Sequence, residues 1–258
     1  MSIFITGDTH GDFRRFSSQY FSEGKNLNRN DYVIICGDFG GIWDIDEHNL
    51  SEIYWLDWLN AKPWTTLFVD GNHENFTRLN SLPQVKFCGG LTHQIRPHIY
   101  HLMRGEIFEI DNCTILAFGG APSHDIQDGI IDLSIDKDWK DTAKLWRKQH
   151  KLFRIKGISW WEEEVPTAAD FDNAKKNLAL YNNKVDFIVT HEAPASTFYE
   201  MALWGKVPPS QYLPSETSKQ IQDLVSNVEY KQHYFGHHHL DKRFNFSECL
   251  YTSIQQIH

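Results

Sequence analysis

Five apolar runs along the chain each end in side chains that can bind a metal ion. These side chains are Asp8 and His10, Asp38, Asn72 with His73, His191, and His237 with His239. Each set stands close to a glycine or a threonine, so a tight turn can bring it to the carboxyl edge of a sheet, where α/β proteins place ligands. Imidazole and carboxylate ligands together suit zinc, manganese or iron better than calcium. The pattern therefore predicts a transition-metal site built from five strand ends.

The number of these residues predicts more than one metal ion. If His73 is set aside, seven candidate ligands remain, which is more than one tetrahedral zinc ion can use. Two ions that share a carboxylate would accommodate them all. Each piece taken alone also fits an ordinary turn or a buried histidine. The three consecutive histidines at 237–239 fit neither easily, because they are costly to pack unless they bind something or stay in solvent.

The elements that must position these residues alternate in the first third of the chain. Apolar strands are predicted at Ile3–Thr6, Tyr32–Cys36 and Thr66–Val69. Helical spacing of apolar residues predicts helices at Phe13–Phe21 and Asp46–Asn60. Alternation of strands and helices favours a mainly parallel sheet with polar residues at the end of each strand.

From Val85 onwards, short strands follow one another without helices, which predicts antiparallel pairing and a second sheet packed on the first. The strands predicted there are Val85–Cys88, Ile99–Leu102, Glu106–Ile110 and Thr114–Phe118. The later elements predicted are helices at Trp139–Lys151, Thr167–Tyr181 and Ser215–Val228, and strands at Asp186–Thr190, Gln232–Phe235, Phe244–Phe246 and Leu250–Ile254.

Two polar or irregular segments interrupt this pattern. Residues 121–166 are predicted to form a flap over the cleft, because so long an irregular stretch between core strands is usually functional. Residues 194–214 are rich in proline and aromatic residues and are predicted to form a loop. There is no internal repeat and no linker, so residues 1–258 are expected to form a single α/β domain.

Composition narrows the classes of function. The formal net charge of −9 argues against general binding to nucleic acid, which needs a basic surface. Residues 1–7 lack the basic region of a signal peptide, and no apolar run is long enough to span a membrane. The four cysteines are scattered without a Cys-x-x-Cys pair. We therefore expect a soluble, cytoplasmic protein with no membrane partner, and its oligomeric state is left open.

Taken together, the motifs resemble those of the calcineurin-like metallophosphoesterases. The segments Gly37–Trp43, Gly119–Ala121 and Ser159–Trp161 are similar to those of compact bacterial and phage members. The matching motifs, in order, are Asp8-x-His10, Gly37-Asp38, Gly71-Asn72-His73-Glu74, Thr190-His191 and Gly236-His237-x-His239. The resemblance implies a four-layer fold of two packed mixed β-sheets flanked by helices. It also implies one metal ion held by Asp8, His10, Asp38 and His239, and another held by Asp38, Asn72, His191 and His237. Asp38 would bridge the two ions, and His73 would face the substrate.

The reaction that this resemblance implies is hydrolysis of a phosphate ester by a dinuclear metal-dependent hydrolase. A hydroxide bridging the two ions would attack phosphorus, and His73 would give a proton to the leaving oxygen. Two divalent ions are the expected cofactors, with Mn²⁺ favoured and Fe, Zn or Ni as alternatives. With Asp8 and Asp38, two such ions leave a pocket charge of about +2, which would draw a small phosphate ester or nucleotide into an acidic protein.

Several alternatives use the same site. A nuclease or a cyclic-nucleotide phosphodiesterase would use the same metals, and a catalytically silent interaction module would only bind them. The chain also departs from one family motif. Protein phosphatases of the family continue Gly-Asp into Asp-Arg-Gly, whose arginine binds phosphate, whereas Gly37-Asp38 here is followed by Phe39-Gly40-Gly41. The residue that would bind phosphate is therefore not identified.

Five further residues are weaker candidates. Asp12 is interpreted as the cap of the first helix, and Glu74 as the start of the next helix rather than a group that orients His73. His238 is expected outside the ligand set, because side chains alternate along an extended segment. His124 and Asp125 are candidates to reach the cleft from the predicted flap.

Overall fold

The structure is a computed structural model that describes residues 1–205 and 213–258. The strands are β1 (Ile3–Thr6), β2 (Tyr32–Ile35), β3 (Thr65–Phe68), β4 (Gln84–Phe87), β5 (Gly90–Arg96), β6 (Ile99–Leu102), β7 (Glu106–Ile110), β8 (Cys113–Phe118), β9 (Gly129–Ile131), β10 (Phe153–Ile155), β11 (Phe187–Thr190), β12 (Gln232–Phe235), β13 (Lys242–Arg243), β14 (Ser247–Cys249) and β15 (Ile254–Gln256). The α-helices are α1 (Leu50–Asn60), α2 (Phe76–Leu79), α3 (Trp139–Lys148), α4 (Ala168–Leu180), α5 (Ala195–Gly205) and α6 (Glu216–Val225). Short 3₁₀ turns lie at Phe13–Phe16, Glu23–Asn26 and Glu162–Glu164.

Two large mixed sheets form the body of the molecule. The first has the strand order β15-β1-β2-β3-β6-β5-β4, and the second has the order β13-β14-β12-β11-β8-β7. Strands β9 and β10 form a separate parallel pair. Helices flank both large sheets, so the predicted fold class of two mixed β-sheets with flanking helices is confirmed.

Successive residues of the central strands are apolar and point to opposite faces, which explains why the sheets are buried on both faces. Ile3 and Ile5 of β1 point into a core that they share with Phe108 of β7 and Val189 of β11. Phe4, between them, packs on the opposite face. Burying a side chain of this size contributes about 1.5–3 kcal/mol to stability. Each central strand therefore holds two layers of the fold together.

Helices cover the outer faces of the two sheets. On the first sheet, Leu56 and Leu59 of α1 pack with Trp64 against the apolar residues of β1 and β2. On the second sheet, α4 and α6 pack against β8 and β11 through a separate apolar cluster. The N-terminus of α4 has a capping box, in which Thr167 and Asp170 each satisfy the other's backbone N–H.

The direction of the central strands brings the predicted site residues to one edge. In the first sheet, β1, β2 and β3 are parallel neighbours. In the second sheet, β8, β11 and β12 are parallel neighbours. The carboxyl ends of parallel strands lie at the same edge. The loops that follow β1, β2, β3, β11 and β12 contain all seven predicted metal ligands and His73.

Residues 121–166, the predicted flap, contain regular structure of their own. Strands β9 and β10 pair with each other, and α3 packs beside them through Trp139, Ala143 and Trp146. This small cluster is separate from the cores of the two large sheets. Among the described residues, no helix is both long and apolar enough to cross a membrane.

Several predicted elements differ from the structure. Only Phe13–Phe16 of the predicted first helix is helical, as a 3₁₀ turn, because Asp12 caps it and Ser17 is extended. Strands β4, β5 and β6 extend the first sheet: β6 pairs parallel with β3, and β5 and β4 then add to it as antiparallel strands. The second sheet therefore begins at β7 and not at Val85. Phe244–Phe246 is the connection between β13 and β14, and the last strand lies further along the chain than predicted.

The predicted loop at 194–214 is wrong over much of its length. Residues Ala195–Gly205 form α5, which buries Thr197, Phe198 and Met201. Burial of this apolar face stabilises a helix that the composition of the segment does not indicate. The remainder of the predicted loop includes residues 206–212, which lie outside the described residues.

Candidate metal centre

Asp8, His10 and His239 form the first cluster of ligand atoms. The Nε2 atoms of His10 and His239 lie 3.0 Å apart. The Nε2 of His239 is 3.2 Å from the Asp8 carboxylate. One ligand atom from each residue falls within 4.8 Å of the others. Hydrogen bonding to Asp8 raises the pKa of His239, whereas burial lowers the pKa of His10.

Asp38, His191 and His237 form the second cluster, and Asn72 lies beside it. The Nε2 of His191 is 3.3 Å from Asp38 Oδ1 and 3.3 Å from Asn72 Oδ1. Asp38 also faces the first cluster, because its Oδ2 is 3.8 Å from His10 Nε2. The two oxygens of this carboxylate are thus shared between the two clusters. All seven predicted ligands are brought together at one sheet edge.

The chemistry of these donors fits a cation. His237 Nε2 is buried and has no hydrogen-bond partner among the described residues. Burial lowers the pKa of His237 well below its usual value, so the imidazole is neutral and has a free lone pair. A buried nitrogen without a partner is costly. A divalent cation bound by Asp38, His191 and His237 would supply the missing partner.

A backbone carbonyl just after β2 fixes the orientation of the His191 ring. Its Nδ1 donates a 2.8 Å hydrogen bond to the carbonyl of Cys36. Nε2 is therefore the atom that faces Asp38, with either a proton or a metal ion on it. Burial alone would lower the pKa of His191, but the carboxylate of Asp38 outweighs it and raises the pKa. The cluster thus attracts positive charge.

Four of the seven predicted ligands have left-handed backbone conformations. The φ angles are 47° for His10, 44° for Asp38, 65° for His237 and 52° for His239. Positive φ is uncommon outside glycine, and such strain is typical of functional sites that the surrounding fold holds in place. The tight turns aim successive polar groups at the same point.

Two glycines next to the ligands are required by close approach. A Cβ on Gly71 would lie 2.1 Å from Asp38 Oδ1, and a Cβ on Gly236 would lie 2.2 Å from Asp8 Oδ1. Neither distance is sterically allowed. The glycine before Asn72 therefore makes room for the carboxylate of Asp38, a stricter reason than the tight turn that the sequence suggested.

His73 belongs to a third group of ligand atoms, in which it lies with His10 and Asp38 between the two clusters. Its backbone N–H donates to Asp38 Oδ1 at 2.7 Å. Its ring Nε2 is 4.0 Å from Asp38 Oδ2 and 2.9 Å from Arg154 Nη2. Because a guanidinium can only donate, Nε2 accepts this hydrogen bond and the ring proton is on Nδ1. Burial lowers the pKa of His73 to about 4, with Asp38 opposing this change and Arg154 adding to it.

Aromatic residues form one wall beside His73. The indole of Trp43 packs on the His73 ring with centroids 5.6 Å apart, and Trp161 meets Trp43 edge-on. A cavity of about 210 Å³ opens next to Trp43 and is lined in part by Gly11 and Gly40. None of the predicted ligands lines this space, which is next to His73 only through Trp43. It is large enough for a small organic group.

A chain of hydrogen bonds from residues 121–166 orients Asn72. The Nδ2 of Asn72 donates to Ser123 Oγ at 3.2 Å, which leaves Oδ1 facing His191. Ser123 in turn donates from Oγ and from its backbone N–H to the two oxygens of Glu164, at 2.8 Å and 2.7 Å. Burial raises the pKa of Glu164 to about 7.

The structure shows which interpretations of the weaker candidates are correct. Asp12 accepts a hydrogen bond from the backbone of Arg14 and caps the first 3₁₀ turn, as predicted. The interpretation of Glu74 is wrong, because Asn75 caps α2 instead. Glu74 accepts from the backbone N–H groups of Phe39, at 2.7 Å, and Gly40, at 3.5 Å. It holds the loop that carries Asp38.

The other weaker candidates lie around the centre. His238 points away from the ligand atoms and is 3.0 Å from Glu192, so it is outside the ligand set, as predicted. His124 stacks on His237 with centroids 4.4 Å apart. Asp125 accepts a hydrogen bond from Arg154 Nε at 2.7 Å. Both residues of the predicted flap thus approach the centre, one at a ligand and one through an arginine.

Sequence reasoning missed Arg154, Ser123, Glu164 and Glu192. The available signal for Arg154 was its position in the run Phe153-Arg154-Ile155, where a charged residue among apolar residues of a short strand needs a buried partner. Ser123 and Glu164 gave no such signal, because 41 positions separate them along the chain.

No curated protein matches this chain in a search of such proteins. The family model described as calcineurin-like phosphoesterase matches residues 1–241. These residues include strands β1 to β12 and every residue of the two clusters of ligand atoms. The chain therefore belongs to the calcineurin-like phosphoesterases, a family of metal-dependent hydrolases of phosphate esters.

Proposed function

We propose that this metal-dependent phosphoesterase hydrolyses a small phosphate ester at a centre of two divalent ions. The observation that carries the proposal is the position of Asp38, whose two carboxylate oxygens face different clusters of ligand atoms. Asp8, His10, Asp38 and His239 would hold one ion. Asp38, Asn72, His191 and His237 would hold the other. Imidazole and carboxylate donors support Mn²⁺, with Fe, Zn or Ni as alternatives.

When bound, two such ions supply positive charge for the phosphoryl oxygens and lower the pKa of an attacking water. The protein's own residues bind the ions, fix the orientation of the ligand groups and transfer a proton. Asp38 and Asp8 are almost completely buried and fix the ligand geometry through backbone hydrogen bonds from His73 and His237. Asn72 adds a neutral oxygen, which is held in place by Ser123.

His73 is the residue proposed to transfer a proton. An oxygen of water forms the new bond to phosphorus, the bond from phosphorus to the leaving oxygen breaks, and His73 Nε2 gives its proton to that oxygen. The proton released by the attacking water replaces the proton that His73 gave up, so the enzyme returns to its starting state. In the structure Nε2 accepts from Arg154, and burial lowers the pKa of His73. The role therefore requires that bound phosphate, an anion, displaces Arg154 from Nε2 and favours the protonated ring.

The size and charge of the surroundings support a small ester. The cavity of about 210 Å³ beside Trp43 would take the leaving group. The net charge of −9 remains unfavourable for a polymer such as nucleic acid. A nuclease, a cyclic-nucleotide phosphodiesterase and a silent metal-binding module are the alternative outcomes of the test.

The test measures metal content and turnover together. Purified protein is loaded with Mn²⁺ and assayed with p-nitrophenyl phosphate, bis(p-nitrophenyl) phosphate and phenyl phosphate, whose leaving group is poor, while metal is counted by mass spectrometry. Asp38→Ala should lose both metal and turnover, and His73→Ala should keep metal and lose turnover at least about tenfold. His48→Ala, at a histidine whose side chain is 83% exposed, is the control.

Three results would contradict the proposal. Metal bound in a one-to-one ratio would exclude the dinuclear centre. Full turnover of a poor leaving group by His73→Ala would exclude His73 as the proton donor. Metal binding without hydrolysis of any ester would favour the interaction module.

A further inference from the structure

Arg154 projects from β10, outside the two large sheets, towards the metal centre. Arg154 is only 7% exposed although its side chain carries a permanent charge. Nε donates to Asp125 at 2.7 Å, Nη1 donates to the carbonyl of Ser159 at 3.0 Å, and Nη2 donates to His73 Nε2 at 2.9 Å. Asp125 and Ser159 belong to the same segment, 121–166. This segment therefore holds the guanidinium in one orientation.

The contacts of Arg154 leave donors for a ligand. A guanidinium has five N–H donors in a planar fork. The three hydrogen bonds made within residues 1–205 and 213–258 use one donor on each nitrogen, so Nη1 and Nη2 each have a second N–H. Nη2 sits beside His73, the residue that borders the ligand clusters. A phosphoryl group at the centre would lie within reach of this nitrogen.

Two other arginines near the strand ends already have different partners. Arg15 donates to Thr6 Oγ1 and to the carbonyls of Gly7, Asp8 and Tyr251. Arg104 donates to the Asp70 carboxylate and to carbonyls in the turn at 162–164. Both hold loops together. The loop after Asp38 contains no basic residue, since it reads Phe39-Gly40-Gly41-Ile42-Trp43.

We propose that Arg154 binds a phosphoryl oxygen of the substrate, and that its charge makes a phosphomonoester dianion the preferred substrate. This inference rests on the proposed function and adds the substrate class to it. A monoester carries about two negative charges at neutral pH and a diester carries one. A fixed positive charge in contact with the phosphoryl group therefore stabilises the monoester about twice as strongly by Coulomb's law.

The contact between Arg154 and His73 gives this binding a consequence. A phosphate oxygen is a better acceptor for a guanidinium than a neutral imidazole nitrogen, because the hydrogen bond is then between two charged groups. Nη2 first binds the phosphate through its second N–H, and the phosphate, as the stronger acceptor, then also takes the N–H that Nη2 donates to His73. Nε2 of His73 is released and can carry the proton for the leaving oxygen.

The experiment compares Arg154→Gln and Arg154→Lys with the full-length Mn²⁺-loaded wild type. The readouts are kcat/KM for p-nitrophenyl phosphate and for bis(p-nitrophenyl) phosphate, and the Kd of inorganic phosphate by calorimetry. We expect Arg154→Gln to lower kcat/KM by about 30-fold for the monoester and by about fivefold for the diester. Arg154→Lys keeps the charge but not the fork, so its loss should be smaller, about fivefold for the monoester.

Two controls address folding and indirect effects. Arg147→Gln removes an exposed arginine from α3 in the same segment and should match the wild type. Metal content and melting temperature show whether each variant is folded, and Arg154→Lys remains informative where Arg154→Gln is unstable. His73→Asn with and without Arg154→Gln then separates two roles. If Arg154 binds phosphate directly, the Kd of inorganic phosphate rises about tenfold in the double variant relative to His73→Asn.

The outcomes distinguish this inference from the proposed function. Equal losses for monoester and diester, or an unchanged Kd of phosphate in the His73→Asn background, would overturn the inference and leave Arg154 as a residue that positions His73. Absence of turnover in the wild type would overturn the proposed function and with it the substrate preference, while the phosphate Kd would still test whether Arg154 binds a phosphoryl oxygen.

Discussion

The amide of Asn72 donates a 3.2 Å hydrogen bond to Ser123 Oγ, so a predicted metal ligand on the first sheet is oriented by a loop that follows the second sheet. The same serine is held at both its backbone and its side chain by the buried Glu164. The ligand oxygen of Asn72 can face the centre only while its nitrogen has this partner.

Removal of the Ser123 hydroxyl should weaken metal binding without unfolding the protein. In Ser123→Ala the amide of Asn72 loses its partner and can rotate, and loss of such supporting contacts typically costs about 10–100-fold in metal affinity. The Kd of Mn²⁺ measured by calorimetry should rise by about tenfold, and Ser18→Ala, at an exposed serine, should leave it unchanged. An unchanged Kd in Ser123→Ala would show that Asn72 is not a ligand or needs no support.

Metal removal should lower thermal stability. A ligand that binds only the folded state stabilises it, by about 2.7 kcal/mol at a concentration 100 times its Kd. A chelator should therefore lower the melting temperature of the Mn²⁺-loaded protein, and added Mn²⁺ should restore it. Asp38→Ala serves as the comparison, because its melting temperature should not respond to Mn²⁺. The same response in both proteins would place the stabilising ion elsewhere.

Gly71→Ala should damage the centre more than the fold. The added methyl would meet Asp38 Oδ1 at 2.1 Å, so the carboxylate must move away from its position between the two clusters. We expect loss of at least one metal ion per molecule and a destabilisation of about 1–3 kcal/mol from overpacking. Metal analysis and urea unfolding test this. Gly157→Ala serves as a comparison, because its φ of +72° strains the backbone while no atom lies within 4 Å of the added methyl, and it should keep both ions. Two bound ions in Gly71→Ala would contradict the prediction.

His233 should make the protein sensitive to acid. Thr190 Oγ1 donates to the carbonyl of Glu192, so it must accept from His233 Nε2–H, and His233 Nδ1 is left buried without a partner among the described residues. Burial lowers the pKa of His233 to about 3. The unfolded chain therefore binds the proton more strongly. The stability that the neutral ring contributes is complete above pH about 6.5 and is lost as pH falls towards 3.

The magnitude of this effect can be measured by difference. Below pH about 6, this residue should reduce the free energy of unfolding by about 1.4 kcal/mol for each pH unit. His233→Gln keeps a donor for Thr190 but does not titrate, so its stability should fall less steeply than that of the wild type between pH 7.5 and 4.5. His48→Gln is the control at an exposed histidine. Parallel pH profiles for the wild type and His233→Gln would contradict the prediction.

Much of the site could be predicted because its ligands are adjacent in sequence to strong strand signals. Buried strands end at Thr6, Ile35 and Phe235. The polar residues that follow these strands must therefore lie at the edge of a sheet. The contacts of Arg154 could not be predicted in this way. They join residues 81 positions apart, and no local periodicity reports which loop folds over which strand.

The errors in secondary structure have a similar cause. Helix α5 follows Pro194 in a segment of mixed composition, and it is stabilised by burial of Phe198 and Met201 rather than by its own propensity. The first predicted helix had apolar residues at suitable spacing, but Phe13 and Phe16 can be buried by a single turn. Tertiary packing decided both cases.

The contact between His10 and His239 joins positions 229 residues apart, near opposite ends of the described chain. Contacts at such separation are slow to form, since closing the loop costs conformational entropy before the contact contributes any stabilisation. We therefore expect the first cluster of ligand atoms to assemble only after both sheets are in place. Metal uptake during refolding would therefore mark the completion of folding, and partly folded molecules would have no competent centre to load.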